Sequence, residues 1–131
     1  MTDRREETGF VDQRKRPIIL SSIASPFISE PISTLDTGFT GDILVSQTHF
    51  DRIPCHRTLW YEDIETAGGT THAFLAQTKI VWFGAERDVA LFVTLTTTEI
   101  HKGDPIATIG TGLFVGRKLT IEFTEEVLKI E

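Results

Sequence analysis

The sequence predicts an all-β domain, a small closed β-barrel with one short helix near its C-terminal end. Three observations carry that expectation. Short runs rich in β-branched and aromatic residues follow one another from Pro17 onward. Turn-forming clusters separate them, notably Gly68-Gly69 and Gly84-Ala85-Glu86, where tight hairpins need residues that tolerate positive φ. Helical periodicity is almost absent, and many short strands at close spacing favour a closed or sandwiched β architecture over an α/β sheet.

Taken in order, the first sixteen residues mix Arg4, Arg5, Arg14, Lys15 and Arg16 with Asp3, Glu6, Glu7 and Asp12 and hold few apolar side chains. Such a segment buries too little surface to order itself, so residues 1–16 are expected to be a flexible charged arm and residues 17–131 the folded domain. Strands are expected over Pro17 to Ile23, Ile32 to Asp36, Ile43 to Ser46, Trp60 to Glu65, Thr71 to Val81, Val89 to Thr96, Ile106 to Ile109, Lys118 to Phe123 and Val127 to Ile130. Gln47 to Ile53 and Gly112 to Arg117 each read as a short helical turn after a strand.

With 131 residues and 40% hydrophobic content the chain fits one domain with one core. A formal charge of -6, with no Lys/Arg cluster interleaved with aromatics, argues against nucleic acid as a partner. The single cysteine, Cys55, excludes an internal disulfide and fits a reducing compartment. No apolar segment follows the charged N-terminus, and no stretch approaches the roughly 18 to 20 apolar residues of a membrane span. The expectation is a soluble, cytoplasmic protein with no membrane partner.

Residues Leu35-Asp36-Thr37-Gly38-Phe39-Thr40-Gly41 place a carboxylate in a Thr/Gly turn straight after a β-type run. A carboxylate that handles protons must be held in a fixed place, and a turn rich in N–H donors does that. Gly38, lacking a Cβ, lets the chain pass close to the carboxylate and reach conformations closed to other residues, and Thr37 brings a hydroxyl that can tie the turn to a neighbouring backbone. The competing reading is an ordinary Asx-type turn, since Asp-Thr-Gly arises by chance in roughly a few per cent of chains this long. Context favours the functional reading: a strand leads into the triplet, and an apolar-Gly segment, Ile109-Gly110-Thr111-Gly112-Leu113, lies far downstream.

Leu-Asp-Thr-Gly with that downstream segment resembles the single-domain, retropepsin-like aspartic proteases, and Asp-Thr-Gly-Phe-x-Gly looks like their small prokaryotic branch. The resemblance runs from about Pro17 to Phe123. It implies a retroviral-type barrel and an aspartic endopeptidase with no metal or organic cofactor, acting on peptide or protein substrates. It implies that Asp36 is the catalytic aspartate, that Thr37 cross-links two active-site loops, and that the Gly38 backbone meets substrate. Glu65 to Phe74, with Gly68-Gly69-Thr70 at its tip, takes the place of the flap hairpin over the substrate. Ile109 and Gly110 belong to the strand behind the catalytic loop and are grouped with the flap as substrate-binding residues. Only one Asp-Thr-Gly is present, whereas the chemistry needs two carboxylates sharing a water, so the resemblance implies a homodimer with Asp36 and its mate on the two-fold axis. Aspartic proteases are the established example of two close carboxylates that cannot both ionise. The chain departs from the retroviral pattern where Phe39-Thr40 and Thr111 replace an Ala-Asp pair and an Arg that form a charge bridge, and where Gly112 replaces an Asp or Asn.

Other readings are weaker. Gly110-x-Gly112-x-x-x-Gly116 imitates a dinucleotide fingerprint, but the spacing misses and no room remains for the following helix, strand and acidic residue. His49, Cys55, His56, His72 and His101 show no spacing that sets metal ligands on one face. Adjacent Cys55 and His56 point apart on a strand and make no nucleophile pair. Trp82 and Phe83 are expected on opposite faces, one in the core and one toward a partner or the flap. Two non-enzymatic alternatives remain: a dimeric peptide-binding module that keeps the cleft without turnover, and an unrelated β-rich ligand-binding protein.

Overall fold

From Val89 to Thr94 the side chains alternate buried and half-buried, with Val89, Leu91 and Val93 turned to the core, as a pleated strand with one face on apolar neighbours requires. Ile43 and Val45 do the same beside it. The computed structural model describes residues 6–20, 32–50, 56–66, 69–95 and 105–131. Its strands are β1 Glu7–Val11, β2 Pro17–Leu20, β3 Ile32–Leu35, β4 Ile43–Ser46, β5 His56–Thr66, β6 Gly69–Trp82, β7 Ala85–Thr94, β8 Ala107–Ile109, β9 Leu119–Glu122 and β10 Val127–Ile130. A four-residue helix, α1 Gln47–Phe50, follows β4, and a 3-10 turn at Thr111–Leu113 follows β8.

All ten strands join one sheet in the order β5-β6-β7-β4-β8-β3-β2-β1-β10-β9. Among the described residues no pairing joins β5 to β9, so the ladder stays open where the sequence reading expected a closed barrel. Most neighbours are antiparallel, but β3 runs parallel to β8 and β4 parallel to β7. One consequence decides where the site lies. Leu35 stands beside Ile109 in the parallel pair, so Asp36 and Gly110 leave the sheet at the same end. Ile43 pairs antiparallel with Ile109, which brings the start of β4 to that end as well.

One face of the sheet covers the main core, with Ile19, Ile43, Phe74, Ile80, Leu91, Ile109, Leu113, Leu128 and Ile130 at its centre. On the other face of β4 and β7, Leu44 and Phe92 pack with Phe39, Ile64 and Ala73 in a smaller cluster. Trp82 and Phe83 do not divide between core and partner. Both are buried, edge to face at 5.4 Å, because Phe83 leaves the strand in a two-residue turn with Gly84, both at positive φ. That turn lies one residue earlier than the Gly84-Ala85-Glu86 loop expected.

The flexible arm expected over residues 1–16 is corrected for its described part. Glu7–Val11 is a strand held on both sides, with Glu7 beside Ile130 and Gly9 beside Ile19. Gly9 is needed there because a Cβ would run into the Ile18 carbonyl oxygen. Asp12 then closes the hairpin into β2: its carboxylate accepts the Arg14 and Arg16 amides at 3.0 and 2.8 Å and the Arg16 Nε at 2.7 Å. Composition misjudged the segment because its order comes from pairing with β10 and β2 rather than from its own apolar content. Residues 1–5 lie outside the described residues.

Glu7 is nearly fully buried, and its carboxylate accepts the Phe83 amide at 2.6 Å, fastening the β6–β7 turn to β1. Glu7→Ala leaves that buried amide without this acceptor and is expected to cost about 1 to 3 kcal/mol, whereas Glu7→Gln, which keeps an oxygen in place, is expected to cost less. Urea midpoints at unchanged slope check the ranking.

Candidate active site

Asp36 follows β3 directly, and its backbone N–H donates to the Ile109 carbonyl at 3.0 Å, which extends the β3–β8 pairing by one bond. The chain then turns. Phe39 N–H donates to the Asp36 carbonyl at 3.2 Å, and Gly38 N–H donates to the Asp36 Oδ1 at 2.8 Å. The second bond fixes the carboxylate within its own turn. Asp36 is half-buried while Thr37 and Gly38 are exposed, so the triplet presents its surface outward. Gly38 is not in the positive-φ region, which corrects the conformational reason expected for it. No bond to the Thr37 hydroxyl is present among the described residues.

Behind the turn the contacts are dense. The Phe39 carbonyl accepts both the Thr111 N–H at 2.8 Å and the Thr111 Oγ1 at 3.3 Å. Gly110 N–H donates to the Asp42 carbonyl at 2.9 Å, and Gly112 N–H to the Gly41 carbonyl at 3.0 Å. Thr111 therefore ties the loop through two neutral hydrogen bonds to one carbonyl. Gly112 has an equally local reason: a Cβ there would strike the Asp42 Oδ1. Asp42, which sequence reasoning passed over, occupies that space and also accepts the Ala90 N–H at 3.0 Å through Oδ2. Its place straight after Gly41 was the only signal available.

Ile109 and Gly110, grouped with the substrate-binding residues, are corrected to a supporting role in the single chain. Ile109 is 0% exposed, and Gly110 is buried so closely that a Cβ would lie 2.5 Å from the Phe39 Cδ2 and 2.6 Å from the Phe39 carbonyl oxygen. Both hold the loop from behind, since an in-register parallel strand ends where the loop begins.

The proposed flap is the hairpin of β5 and β6, paired from Glu65 with Thr70 and Thr66 with Gly69 at its outer end. Gly68 lies outside the described residues. Gly69 has φ +107 with nothing within 4 Å of where a Cβ would stand, and Thr70 is exposed. The arm of this hairpin, rather than its tip, reaches the loop. A cavity of ≈ 430 Å³ lies between Phe39, Thr40, Gly41 and Phe92 on one side and the β5 run Glu62 to Glu65 on the other. Phe39 is buried and meets Phe92 edge to face at 5.5 Å, forming the apolar floor, while Glu62, Asp63 and Glu65 are exposed and make the rim acidic. Asp63 also contacts His72 across the hairpin.

No protein-family model matches the chain, and no curated protein matches it. Among solved structures the fold is similar to that of the retroviral EIAV protease in complex with the inhibitor HBY-793, at a TM-score of 0.55 and 19% sequence identity, over 83% of this chain and 96% of that one. The chain thus has a mostly β fold of the retroviral-protease kind.

Proposed function

We propose that the chain is an aspartic endopeptidase that works as a homodimer, with Asp36 supplied once by each copy. The observation that supports it most is the Asp36 carboxylate itself. It is half-buried, pinned by Gly38 N–H in a turn that leaves the sheet beside Gly110, in a fold similar to a retroviral protease. A water between the two Asp36 carboxylates loses a proton to the ionised one and attacks the scissile carbonyl carbon. The protonated partner stabilises the tetrahedral oxygen, and a proton passes to the nitrogen as the C–N bond breaks. In this reading the unbonded, exposed Thr37 hydroxyl reaches the second copy's loop. An extended substrate lies across the cleft beneath the β5–β6 hairpin, bonded through its main chain.

The test is incubation of the full chain with a diverse peptide library from acidic to neutral pH, with products read by mass spectrometry. Cleavage with an acidic to mildly acidic optimum is expected. Absence of cleavage from a folded, dimeric protein would leave the peptide-binding module as the better account.

Gly69→Val probes the hairpin. A β-branched residue at φ +107 is strained by about 1 to 3 kcal/mol even where space is open, and the strain sits at the outer end of the hairpin. Turnover is expected to fall far more than the melting temperature, because the tip must move for substrate to enter. Equal turnover in the variant would remove the hairpin from the mechanism.

A further inference from the structure

The cavity of ≈ 430 Å³ between the Asp36 loop and the β5–β6 hairpin falls within the roughly 300 to 1,000 Å³ of sites that enclose organic groups. A glycine shapes its floor. A Cβ on Gly41 would lie 2.5 Å from the Phe39 Cζ and 2.6 Å from the Phe92 Cε2, so the bare Cα is what lets both rings close on the loop. Phe39 is buried and spent on packing, whereas Phe92 is half-buried and lines the cavity. The apolar surface left for a ligand is therefore mainly the Phe92 ring.

The opposite wall decides the charge. Successive strand residues point to opposite faces, and the β5–β6 pairing is regular from Tyr61 to Thr66, so Glu62 and Ile64 share one face. Ile64 packs with Phe39 in the smaller cluster, which puts Glu62 on the cavity side. Its cross-strand partner is the buried Ala73, whose single methyl shields nothing. The Glu62 carboxylate is exposed and enters no ion pair among the described residues. Asp63 and Glu65 turn to the other face, where Asp63 already contacts His72. No lining residue is cationic. A small hard cation needs several oxygens converging at about 2.0 to 2.6 Å, and carboxylates on alternating faces do not converge. Among the described residues no group of three acidic, His or Cys side chains is placed to hold a metal ion. One free carboxylate at the mouth of an apolar cleft suits instead an organic cation on a long stem.

We infer that the cavity selects a lysine or arginine side chain of a peptide substrate, its methylene stem laid along Phe92 and its charged head at Glu62. Glu62 is thus a specificity-determining residue. Phe39 to Gly41 follow the Asp36 triplet directly, so the selected residue lies within a few positions of the bond that is cut. The inference rests on the proposed peptide cleft and names the side chain it prefers. An apolar side chain would gain the floor without the charge, and an acidic one would be repelled by Glu62 and, at longer range, by Asp63 and Glu65.

The test uses the full chain and a randomised peptide library. Immobilised Asp36→Asn chain captures peptides, the parent chain cuts them, and mass spectrometry reads both pools. Lys and Arg are expected to be enriched at one position near the cut bond, and the enrichment should shrink as salt rises. Introducing Glu62→Gln into both chains is expected to lower the enrichment by about two- to fivefold, the range of an exposed ion pair. Glu62→Lys is expected to turn the preference toward Asp and Glu. Far-UV circular dichroism checks that these exposed substitutions leave the fold alone. Pools without Lys or Arg enrichment, or an enrichment that neither Glu62 variant changes, would overturn the cationic pocket while leaving the Asp36 reading to its own cleavage assay. Capture of Lys- and Arg-containing peptides that depends on Glu62, in a chain that cuts nothing, would uphold the pocket and retire the peptidase reading. A chain that neither captures nor cuts any peptide would overturn both.

Discussion

Asp36→Asn is expected to lower peptide cleavage by about a thousandfold or more, the range that loss of general acid–base catalysis commands, while thermal stability stays close to the parent's. The amide has the shape of the carboxylate, and its Oδ1 still accepts the Gly38 N–H seen at 2.8 Å, so the turn keeps its closing bond. What disappears is the ability to take a proton from water. If each copy supplies one aspartate, as proposed, a mixed dimer of parent and variant chains should be as inactive as the variant itself. Mixing the two in known ratios gives a quadratic fall in activity with the parental fraction. A linear fall would mean that each chain carries a complete site, and retained activity in the pure variant would move the search to another carboxylate.

Gly110→Ala is expected to destabilise the chain more than any other single methyl addition at a described glycine outside β1. Its φ of -101 is ordinary, so the cost is steric rather than conformational. The added methyl would meet the Gly41 and Phe39 carbonyl oxygens, backbone atoms already committed to bonds with Gly112 and Thr111. These cannot swing aside as a flexible side chain can, which puts the penalty at or above the upper end of overpacking, about 3 kcal/mol. For a chain of this size that corresponds to a melting temperature lower by roughly 10 °C. Gly116→Ala is the control. It sits at φ +74 with nothing within 4 Å, so only backbone strain of about 1 to 2 kcal/mol is expected. Calorimetry on both variants checks the order, and a Gly116 variant less stable than the Gly110 variant would contradict the packing described behind the Asp36 loop.

Alternation of apolar residues made β4, β7 and β10 legible in the sequence, because their inward positions carry Ile, Leu and Val at every second place. The Asp36 turn was legible as well, since Asp, Thr and Gly in that order have few other local uses. Three things were not. Strand β1 carries only Phe10 and Val11 as apolar side chains and is held on one side by β10, far away in sequence, which no local pattern records. The two hydrogen bonds from Thr111 to the Phe39 carbonyl tie the loop to the turn behind it, and a threonine carries no signature of that duty. Asp42 looks like any turn aspartate until Ala90 and Gly112 are brought beside it. Where pairing is set by neighbours distant in sequence, propensity has nothing to act on.

The pairing of Glu7 with Ile130 has a consequence for how the chain comes to be folded at all. During synthesis β1 emerges before its neighbour β10 and all the described strands between them, so the strand that flanks β2 waits with one edge bare until β10 appears. Contacts of such long sequence separation also place this protein among the slow folders, since the entropy of closing the loop is spent before the ladder repays it. Removing β10 would therefore leave β1 with its pairing to β2 alone and turn an interior edge into a sticky one.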